Sequence, residues 1–235
     1  MAKVLETLIA RGRRVRRPRE QREVAFGLAD LSTHPDIHAR MVQKGGCKSL
    51  VQLLERSADM ETQRFAALAL GNIASTAENR IPMANEGVCR PLIVYIGNEE
   101  GDTIGRQYAA LALGNLAADA SNHEEIVKLN AIEALILLLR AEDVQCGRYA
   151  AFALSNIASN EVHRSQVVDE GAIAPLVELA CCDDQNAQRQ ALAALRSIAI
   201  TPETRPLIVK EGVLDPLVLM ARSQDTAVQR EVSYF

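Results

Sequence analysis

The sequence predicts an all-α solenoid in which each repeat of about 42 residues forms three helices. Three observations predict this fold class. An Ala- and Leu-rich segment that ends in Asn returns at nearly constant spacing, a glycine returns at the same spacing, and an apolar stretch follows each glycine. Self-similarity at such a period is typical of arrays in which each unit buries its core only against its neighbours.

The Ala- and Leu-rich segment is predicted to be the third and longest helix of each repeat. Its end marker stands at Asp30 in the first copy and recurs after steps of 42, 43, 41 and 41 residues. The later markers are Asn72, Asn115, Asn156 and Ser197. On a helical wheel, Ala66, Leu70 and Ile73 share one face, which is therefore expected to form the core.

The recurring glycine is predicted to end the first helix of each repeat. Glycine is favoured just past a helix end because the backbone there enters the left-handed region, and asparagine is tolerated in its place. The positions are Gly45, Gly87, Gly171 and Gly212, with Asn130 substituting once. For one repeat we predict helices at about 78–85, 88–97 and 103–118.

The chain is predicted to contain four complete repeats and two partial ones. The complete repeats are expected at 34–75, 76–118, 119–159 and 160–200. Residues 1–33 match a second and a third helix joined by a basic linker at 11–19, and residues 201–235 stop inside a third helix. Solenoids need polar capping repeats, and no C-terminal cap is recognisable, so we expect a fragment of a longer protein.

The linker at 11–19 departs from the repeat pattern because six of its nine residues are arginine. Such a cluster fits a nuclear signal, a contact with acidic lipid or an RNA patch, whereas its place between two helices favours a solvated linker. No aromatic residue is interleaved for base stacking, and the net charge of the chain is −4. Nucleic acid is therefore not the expected partner.

The composition argues against a membrane-spanning or catalytic protein. No apolar run reaches about 18 residues, and no glycine follows the initiator Met, as myristoylation would need. The expected location is the cytoplasm, with an organelle surface or the nucleus as alternatives, and membrane contact only indirect or through missing flanking segments. The histidines lie near first-helix starts without partners at ligand or triad spacing, so we expect no enzyme, metal or cofactor. They are His34, His38, His123 and His163.

The five cysteines lack a C-x-x-C motif, which argues against a disulfide framework and a zinc site. Cys47 and Cys89 fall at the repeat position that Ile132, Ile173 and Leu214 occupy elsewhere. We therefore expect these two cysteines to be buried in second helices as small hydrophobic residues.

A polar stripe along the third helices is the candidate binding site. Its members are Arg22, Arg64, Gln107, Arg148, Arg189 and Arg230, with Asn72, Asn115 and Asn156 beside them. The middle positions between these two rows are Leu68, Leu111 and Phe152. Asparagine is a mediocre helix former, so its repeated place inside a helix needs a reason. Its amide could clamp the backbone of an extended peptide, or it could bond a neighbouring repeat.

The arginines of this stripe also have two interpretations. As free cations they would select acidic segments of a ligand through forked contacts. As structural elements they would pair with aspartates at the ends of the second-to-third-helix linkers, namely Asp59, Asp143, Asp184 and Asp225. The rings one residue after the arginine position, Phe65, Tyr108 and Tyr149, are expected to pack between neighbouring helices.

Taken together, the Leu-Gly-Asn core, the glycine between first and second helices and the 41–43 period resemble armadillo repeats over almost the whole chain. The resemblance implies a right-handed α–α superhelix whose third helices line a concave groove for extended segments of partner proteins, with no small-molecule substrate. The Gln-Arg pairs at 63–64, 188–189 and 229–230 are similar to those of the vacuolar protein 8 type of armadillo scaffold. That similarity implies organelle tethering or a role related to vesicles or vacuoles.

Two alternatives remain within the same resemblance. One is a nuclear transport adaptor of the importin-α type, which places a Trp four residues before each groove Asn to receive lysine-rich signals. The corresponding residues here are Phe26, Leu68, Leu111, Phe152 and Ala193. The other alternative is the substrate-binding armadillo region of a ubiquitin ligase. The scaffold and the adaptor differ in the sign of the ligand charge.

Overall fold

The computed structural model describes residues 2–222, together with residues 229 and 233. These residues form sixteen α-helices and no strand, which confirms the predicted all-α fold. The helices group into two compact units, residues 1–129 and 130–235.

The first unit contains nine of the described helices. They are α1 (Ala2–Gly12), α2 (Pro18–Leu31), α3 (His38–Gln43), α4 (Gly46–Arg56), α5 (Met60–Ser75), α6 (Ala77–Asn85), α7 (Cys89–Ile96), α8 (Thr103–Ala117) and α9 (His123–Lys128). The third helices α2, α5 and α8 pack side by side, and the second helices α4 and α7 pack on α5 and α8 of their own repeats. This is the predicted arrangement of three helices per repeat.

The second unit repeats the same succession. Its described helices are α10 (Ala131–Leu139), α11 (Val144–Ala158), α12 (Glu161–Asp169), α13 (Ile173–Ala180), α14 (Gln185–Ala199), α15 (Arg205–Lys210) and α16 (Leu214–Ala221). The third helices α11 and α14 pack against each other, and α10 and α13 pack on them as second helices.

The core of each repeat is built from small and aliphatic side chains. Ala66, Leu70 and Ile73 of α5 are fully buried, as the helical wheel predicts. On the same helix, a Cβ added at Gly71 would lie 3.8 Å from Ala112 Cβ and 3.6 Å from the Tyr108 carbonyl oxygen, both in α8. The two helices thus meet here through small residues. Each fully buried leucine contributes about 1.5–3 kcal/mol.

The turns between first and second helices adopt the predicted left-handed conformation. The φ angles are 74°, 78°, 82°, 92° and 60° for Gly45, Gly87, Gly171, Gly212 and Asn130. At Gly87, the glycine N–H donates to the Ala84 carbonyl and the Val88 N–H donates to the Met83 carbonyl. These two bonds satisfy carbonyl groups that the end of α6 would otherwise leave unpaired.

The helices of the 76–118 repeat lie where the periodicity places them, since α6, α7 and α8 correspond to the three predicted ranges. The basic linker is shorter than the predicted 11–19. Helix α1 continues to Gly12, and α2 begins at Pro18. Proline is compatible with the first position of a helix because the N–H it lacks would have no intrahelical partner there.

Cys47 and Cys89 are buried as predicted, and burial raises the pKa of each thiol to about 12. None of the five cysteines, which all lie within the described residues, forms a disulfide. In the part of the chain that the structure describes, no cluster of His, Cys, Asp and Glu is suited to a metal ion. None of the described helices has both the length and the apolar character needed to cross a bilayer.

Candidate functional site

An aspartate is the N-cap residue of each of the third helices α5, α8, α11 and α14. Its carboxylate accepts the N–H of the residue three positions later, at 2.9, 2.7, 2.9 and 2.8 Å in chain order. These N-cap residues are Asp59, Asp102, Asp143 and Asp184. An N-cap of this kind stabilises a helix by about 1 kcal/mol.

In the first unit, two of these aspartates also bind the arginine of the preceding third helix. Arg64 approaches Asp102 with two guanidinium nitrogens, Nε at 2.8 Å from Oδ2 and Nη2 at 2.5 Å from Oδ1. Arg22 binds Asp59 in the same two-pronged way, with Nε 3.1 Å from Oδ2, and its Nη1 lies 2.7 Å from Glu61 Oε2. This is the strong geometry for a guanidinium–carboxylate pair. Arg22 and Arg64 are therefore structural partners of Asp59 and Asp102.

These contacts shift the acidity of both carboxyl groups. The hydrogen bonds from Arg22, followed by those from Thr62, lower the pKa of Asp59 to about 2 against the opposing effect of burial. The hydrogen bond from Arg64 likewise lowers the pKa of Asp102. Both aspartates stay ionised at neutral pH and neutralise the arginines that they bind.

The arginines of the second unit have different surroundings. The Arg148 guanidinium carbon lies 4.4 Å from the centroid of the Tyr149 ring, and its Nη2 donates to the Tyr149 hydroxyl at 2.6 Å. Arg189 donates to Asn186 Oδ1 at 3.2 Å. Within the described residues, Arg148 and Arg189 form no ion pair.

Asp184 contacts an amide in place of an arginine. Gln145 Nε2 lies 3.2 Å from Asp184 Oδ2. Arg230 and Asp225 lie outside the described residues.

The asparagines of the first unit bond the preceding third helix. Asn72 Nδ2 donates to Ser32 Oγ at 3.0 Å, and Asn115 Nδ2 donates to the Gly71 carbonyl at 3.1 Å. Both side chains are half-buried, and within the described residues neither makes another hydrogen bond. Each amide thus keeps its carbonyl oxygen and one N–H uncommitted. Asn156 is half-buried on α11.

Apolar side chains lie between the arginine and asparagine rows. Phe26 is 56% exposed, and its ring meets Phe65 edge-on at 5.2 Å between centroids. This contact confirms the prediction that Phe65 packs between neighbouring helices. Leu68 and Leu111 are half-buried, as are Gln107 on α8 and Phe152 on α11. We name the surface of the first unit formed by Arg22, Phe26, Arg64, Leu68, Asn72, Gln107, Leu111 and Asn115 the third-helix face.

A second row of polar side chains, which the periodicity of the third helices does not predict, lies at the first-helix starts. Each donates to the carbonyl six residues earlier, at the end of the preceding third helix, as Asn79 does to Ile73 at 3.3 Å. Asn122, Arg164 and Thr204 make the same contact. The signal that could have revealed them is a polar residue seven or eight positions after each end marker.

Two of the histidines belong to this row. The buried His38 ring bonds the Ser32 carbonyl at 2.7 Å and the Thr76 hydroxyl at 2.7 Å, while His123 bonds the Ala117 carbonyl at 2.7 Å. Both rings therefore hold a first helix against the end of a third helix.

The glutamines of the Gln-Arg pairs also have a packing contact. Gln63 donates to the Leu54 carbonyl at 3.1 Å, and Gln188 donates to the Cys182 carbonyl at 2.6 Å. Arg106, at the equivalent position, donates to the Ile96 carbonyl at 2.9 Å. This repeat position thus connects the start of a third helix to the end of the second helix. Its residue therefore has a structural role that is independent of any ligand.

Comparison with known proteins agrees with this architecture. The family model for the armadillo/beta-catenin-like repeat matches residues 39–75 and 160–200. A crystal structure of an engineered protein from the Northeast Structural Genomics Consortium is 31% identical, covers 98% of this chain and 96% of its own, and has a TM-score of 0.90. A second engineered protein is 31% identical, covers 98% and 94%, and has a TM-score of 0.88.

A designed armadillo repeat protein in complex with the peptide (KR)4 shares the fold at 22% identity, with 98% and 97% coverage and a TM-score of 0.86. No curated protein sequence matches significantly. The chain belongs to the armadillo repeat family, and its fold is the armadillo solenoid.

Proposed function

We propose that this protein is a non-enzymatic scaffold that binds extended segments of partner proteins along its third helices. One observation carries the proposal: Asn72 and Asn115 each commit a single N–H to the fold and keep a donor and an acceptor uncommitted. A donor and an acceptor on one side chain match the alternating N–H and C=O groups of an extended peptide backbone.

The spacing of the helices suits such a ligand. Packed helices lie about 8–10 Å apart, and an extended peptide rises about 3.3 Å per residue, so successive asparagines would meet every second or third ligand residue. Phe26, Leu68 and Leu111 lie beside the amides, where they would contact ligand side chains between the clamped backbone groups. The family supports this function, since the designed armadillo protein noted above holds a peptide.

We assign the preference for acidic ligand residues to the second unit. Arg148 and Arg189 carry charge that no described carboxylate neutralises, whereas Arg22 and Arg64 are bound to aspartates. Forked guanidinium groups bind carboxylates well. Acidic residues of a ligand would therefore contribute most to its affinity where they contact Arg148 and Arg189.

The test is a binding titration of the full chain with three fluorescent peptides of equal length that are neutral, Glu-rich and Lys/Arg-rich. We expect Asn72→Ala/Asn115→Ala to weaken binding of all three by about 10-fold or more, since two backbone contacts of about 1 kcal/mol each are removed. The control is Asn85→Ala/Asn98→Ala, which removes two exposed amides outside the third-helix face. Equal affinity of the two double variants would contradict the proposal.

A second arm of the titration addresses ligand charge. Arg148→Glu/Arg189→Glu should weaken the binding of the Glu-rich peptide alone, by about 10-fold. The control Arg140→Glu/Lys210→Glu makes the same change in net charge elsewhere and should have little effect on binding. Thermal unfolding of every variant separates lost binding from lost folding. Tightest binding of the Lys/Arg-rich peptide by the unaltered chain would instead support the transport-adaptor alternative.

That alternative has one specific observation in its favour. The first unit places Glu61 beside Arg22 in addition to Asp59, and Asp102 beside Arg64, so three acids contact the two arginines of the third-helix face. A basic segment, such as the (KR)4 peptide of the designed protein, would meet favourable charge there. We retain from the family resemblance a cytoplasmic scaffold of the vacuolar protein 8 type that acts at an organelle surface. The substrate-binding region of a ubiquitin ligase is the other form that the same binding function could take.

A further inference from the structure

Positive charge is concentrated at the start of this acidic chain. Residues 1–56 contain twelve Lys and Arg against six Asp and Glu, a formal charge of +6, whereas the whole chain carries −4. Six arginines fall between residues 11 and 19, and all six are exposed. Arg17 and Arg19 pair with Glu20 and Glu23 at 3.5 and 3.4 Å. An uneven charge of this kind indicates a separate anionic partner.

The segment between α1 and α2 is held in one conformation. The N–H groups of Arg14 and Val15 both donate to the Arg11 carbonyl at 2.9 Å. Gln21 donates to the Val15 carbonyl at 3.4 Å, and Ser57 donates to Gln21 Oε1 at 2.9 Å. The arginines of this segment are therefore carried by an ordered backbone.

Two further contacts draw the segment onto the next repeat. Arg13 Nη2 donates to the carbonyls of Lys44 and Gly45 at 3.2 and 3.1 Å. A Cβ at Gly12 would lie 2.1 Å from Ser49 Oγ, so a larger residue here would have to displace the Ser49 hydroxyl from its place between α1 and α4. The approach brings the segment beside Arg56, in the last turn of α4.

The result is a cleft of about 200 Å³ whose lining includes Arg14, Arg16 and Arg56. None of these three arginines forms an ion pair or a side-chain hydrogen bond within the described residues. Like charges held beside one cavity repel one another and lower the stability of the fold. A multivalent anion in the cleft would convert that repulsion into attraction.

We propose that this cleft binds clustered phosphate groups, either of a soluble polyphosphorylated molecule or of a phosphorylated lipid headgroup. Guanidinium groups donate parallel N–H bonds that match phosphate oxygens, and three of them can surround a group of higher charge than a single carboxylate. The ordered backbone keeps the arginines in place before the ligand arrives, which reduces the entropy lost on binding. RNA is disfavoured because no aromatic side chain lines the cleft for base stacking.

The test measures binding of the full chain to tripolyphosphate by calorimetry, and to phosphatidylcholine vesicles that contain either a phosphoinositide bisphosphate or phosphatidylserine. Both use 150 mM salt, where interactions beyond about 8 Å are screened. The variant Arg14→Glu/Arg16→Glu should weaken binding of the phosphate probe by about 10-fold or more, because two direct contacts become repulsive. Adding Arg56→Gln should weaken it further.

The matched control is Arg17→Glu/Arg19→Glu, which makes the same charge change in the same segment outside the cleft. It should change binding by no more than about 2-fold. Binding of both tripolyphosphate and bisphosphate vesicles identifies the lipid source, and binding of tripolyphosphate alone identifies a soluble source; either result supports the site. Equal losses in the two double variants, equal binding to phosphatidylserine vesicles, or no binding of any phosphate probe would overturn the proposal.

Discussion

Asp59 shows how one carboxylate can serve two helices at once. It caps α5 through the Thr62 N–H at 2.9 Å, and it binds the guanidinium of Arg22 from α2. The cap acts within a repeat and the ion pair acts between repeats. The two contributions can be separated, because asparagine accepts the capping bond as well as aspartate does but carries no charge.

We expect Asp59→Asn to lose the ion pair and keep the cap, whereas Asp59→Ala loses both and costs about 1 kcal/mol more. The pKa of Asp59 is lowered from 3.8 to about 2, so its charge adds stability that is complete above the unfolded-state pKa and is lost as the pH falls from about 4 through 2. Asp59→Asn should remove that part of the pH dependence. Urea unfolding between pH 2 and 7 measures both effects.

The control for this experiment is Asp184→Asn, at a cap that receives an amide in place of an arginine. Because no described guanidinium binds Asp184, this substitution changes a capping carboxylate without removing an ion pair, and it is the reference for the acid limb of the stability profile. If the two substitutions alter that limb equally, Arg22 is not the source of the effect.

The positions of the candidate-site residues could be predicted from the repeat, but the groups that they contact within the fold could not. Arg64 and Arg148 occupy the same repeat position, yet Arg64 binds an aspartate and Arg148 binds the ring and hydroxyl of Tyr149. Phe65, next to Arg64, offers no hydroxyl. The group that an arginine contacts depends on the residue next to it and on the length of the linker before the next third helix. The repeat period predicts neither of these.

At the scale of secondary-structure elements, the left-handed turn separates the first and second helices of every described repeat. A Cβ at Gly87 would meet no atom within 4 Å. The requirement for glycine there is consequently a matter of backbone conformation alone. Asn130 occupies the equivalent turn with φ 60°, which shows that the turn tolerates the one side chain expected to adopt this region.

We expect Gly87→Ala to lower the free energy of unfolding by about 1–2 kcal/mol, the cost of the left-handed region for a residue with a Cβ. Gly87→Asn should cost less, because asparagine adopts this conformation more readily. Chemical denaturation of the two variants gives the comparison. Asn130→Gly serves as the reverse substitution and should not destabilise the chain; a loss of stability there would contradict the conformational explanation.

The element boundaries were largely predictable because caps and breakers recur with the period. The exception is the N-terminal linker, where the arginine run suggested a longer irregular segment than the structure contains. Helical propensity explains the difference: arginine is a good helix former, and Pro18 is compatible with a first helical position. The irregular segment is therefore limited to the residues between Gly12 and Pro18.

At the scale of the whole molecule, stability in a repeat array is a sum of terms for single repeats and for adjacent pairs. Each of the two units has its own buried side chains, among them Leu70 in the first and Leu154 in the second, at equivalent positions of α5 and α11. A substitution that destabilises the core of one repeat should consequently affect mainly that repeat and its immediate neighbours.

We expect Leu70→Ala to cost about 2–5 kcal/mol and to lower amide protection first in α5, α2 and α8. Leu154→Ala, the matched variant, should lower it first in α11 and α14. Hydrogen exchange followed by mass spectrometry resolves the two patterns. A uniform loss of protection along the chain in both variants would show that the array unfolds as a single cooperative unit instead.

The ion pair between an arginine and the N-cap aspartate of the following third helix affects how such an array can gain repeats by duplication. In the pairs Arg22–Asp59 and Arg64–Asp102, the 34–75 repeat supplies both kinds of residue: Asp59 accepts from the previous copy and Arg64 donates to the next. A tandem duplication of the 34–75 segment would therefore arrive with both halves of its junctions already present. Gene duplication could extend the array without any compensating substitution, and changes such as Gln107 would arise afterwards, as copies diverge.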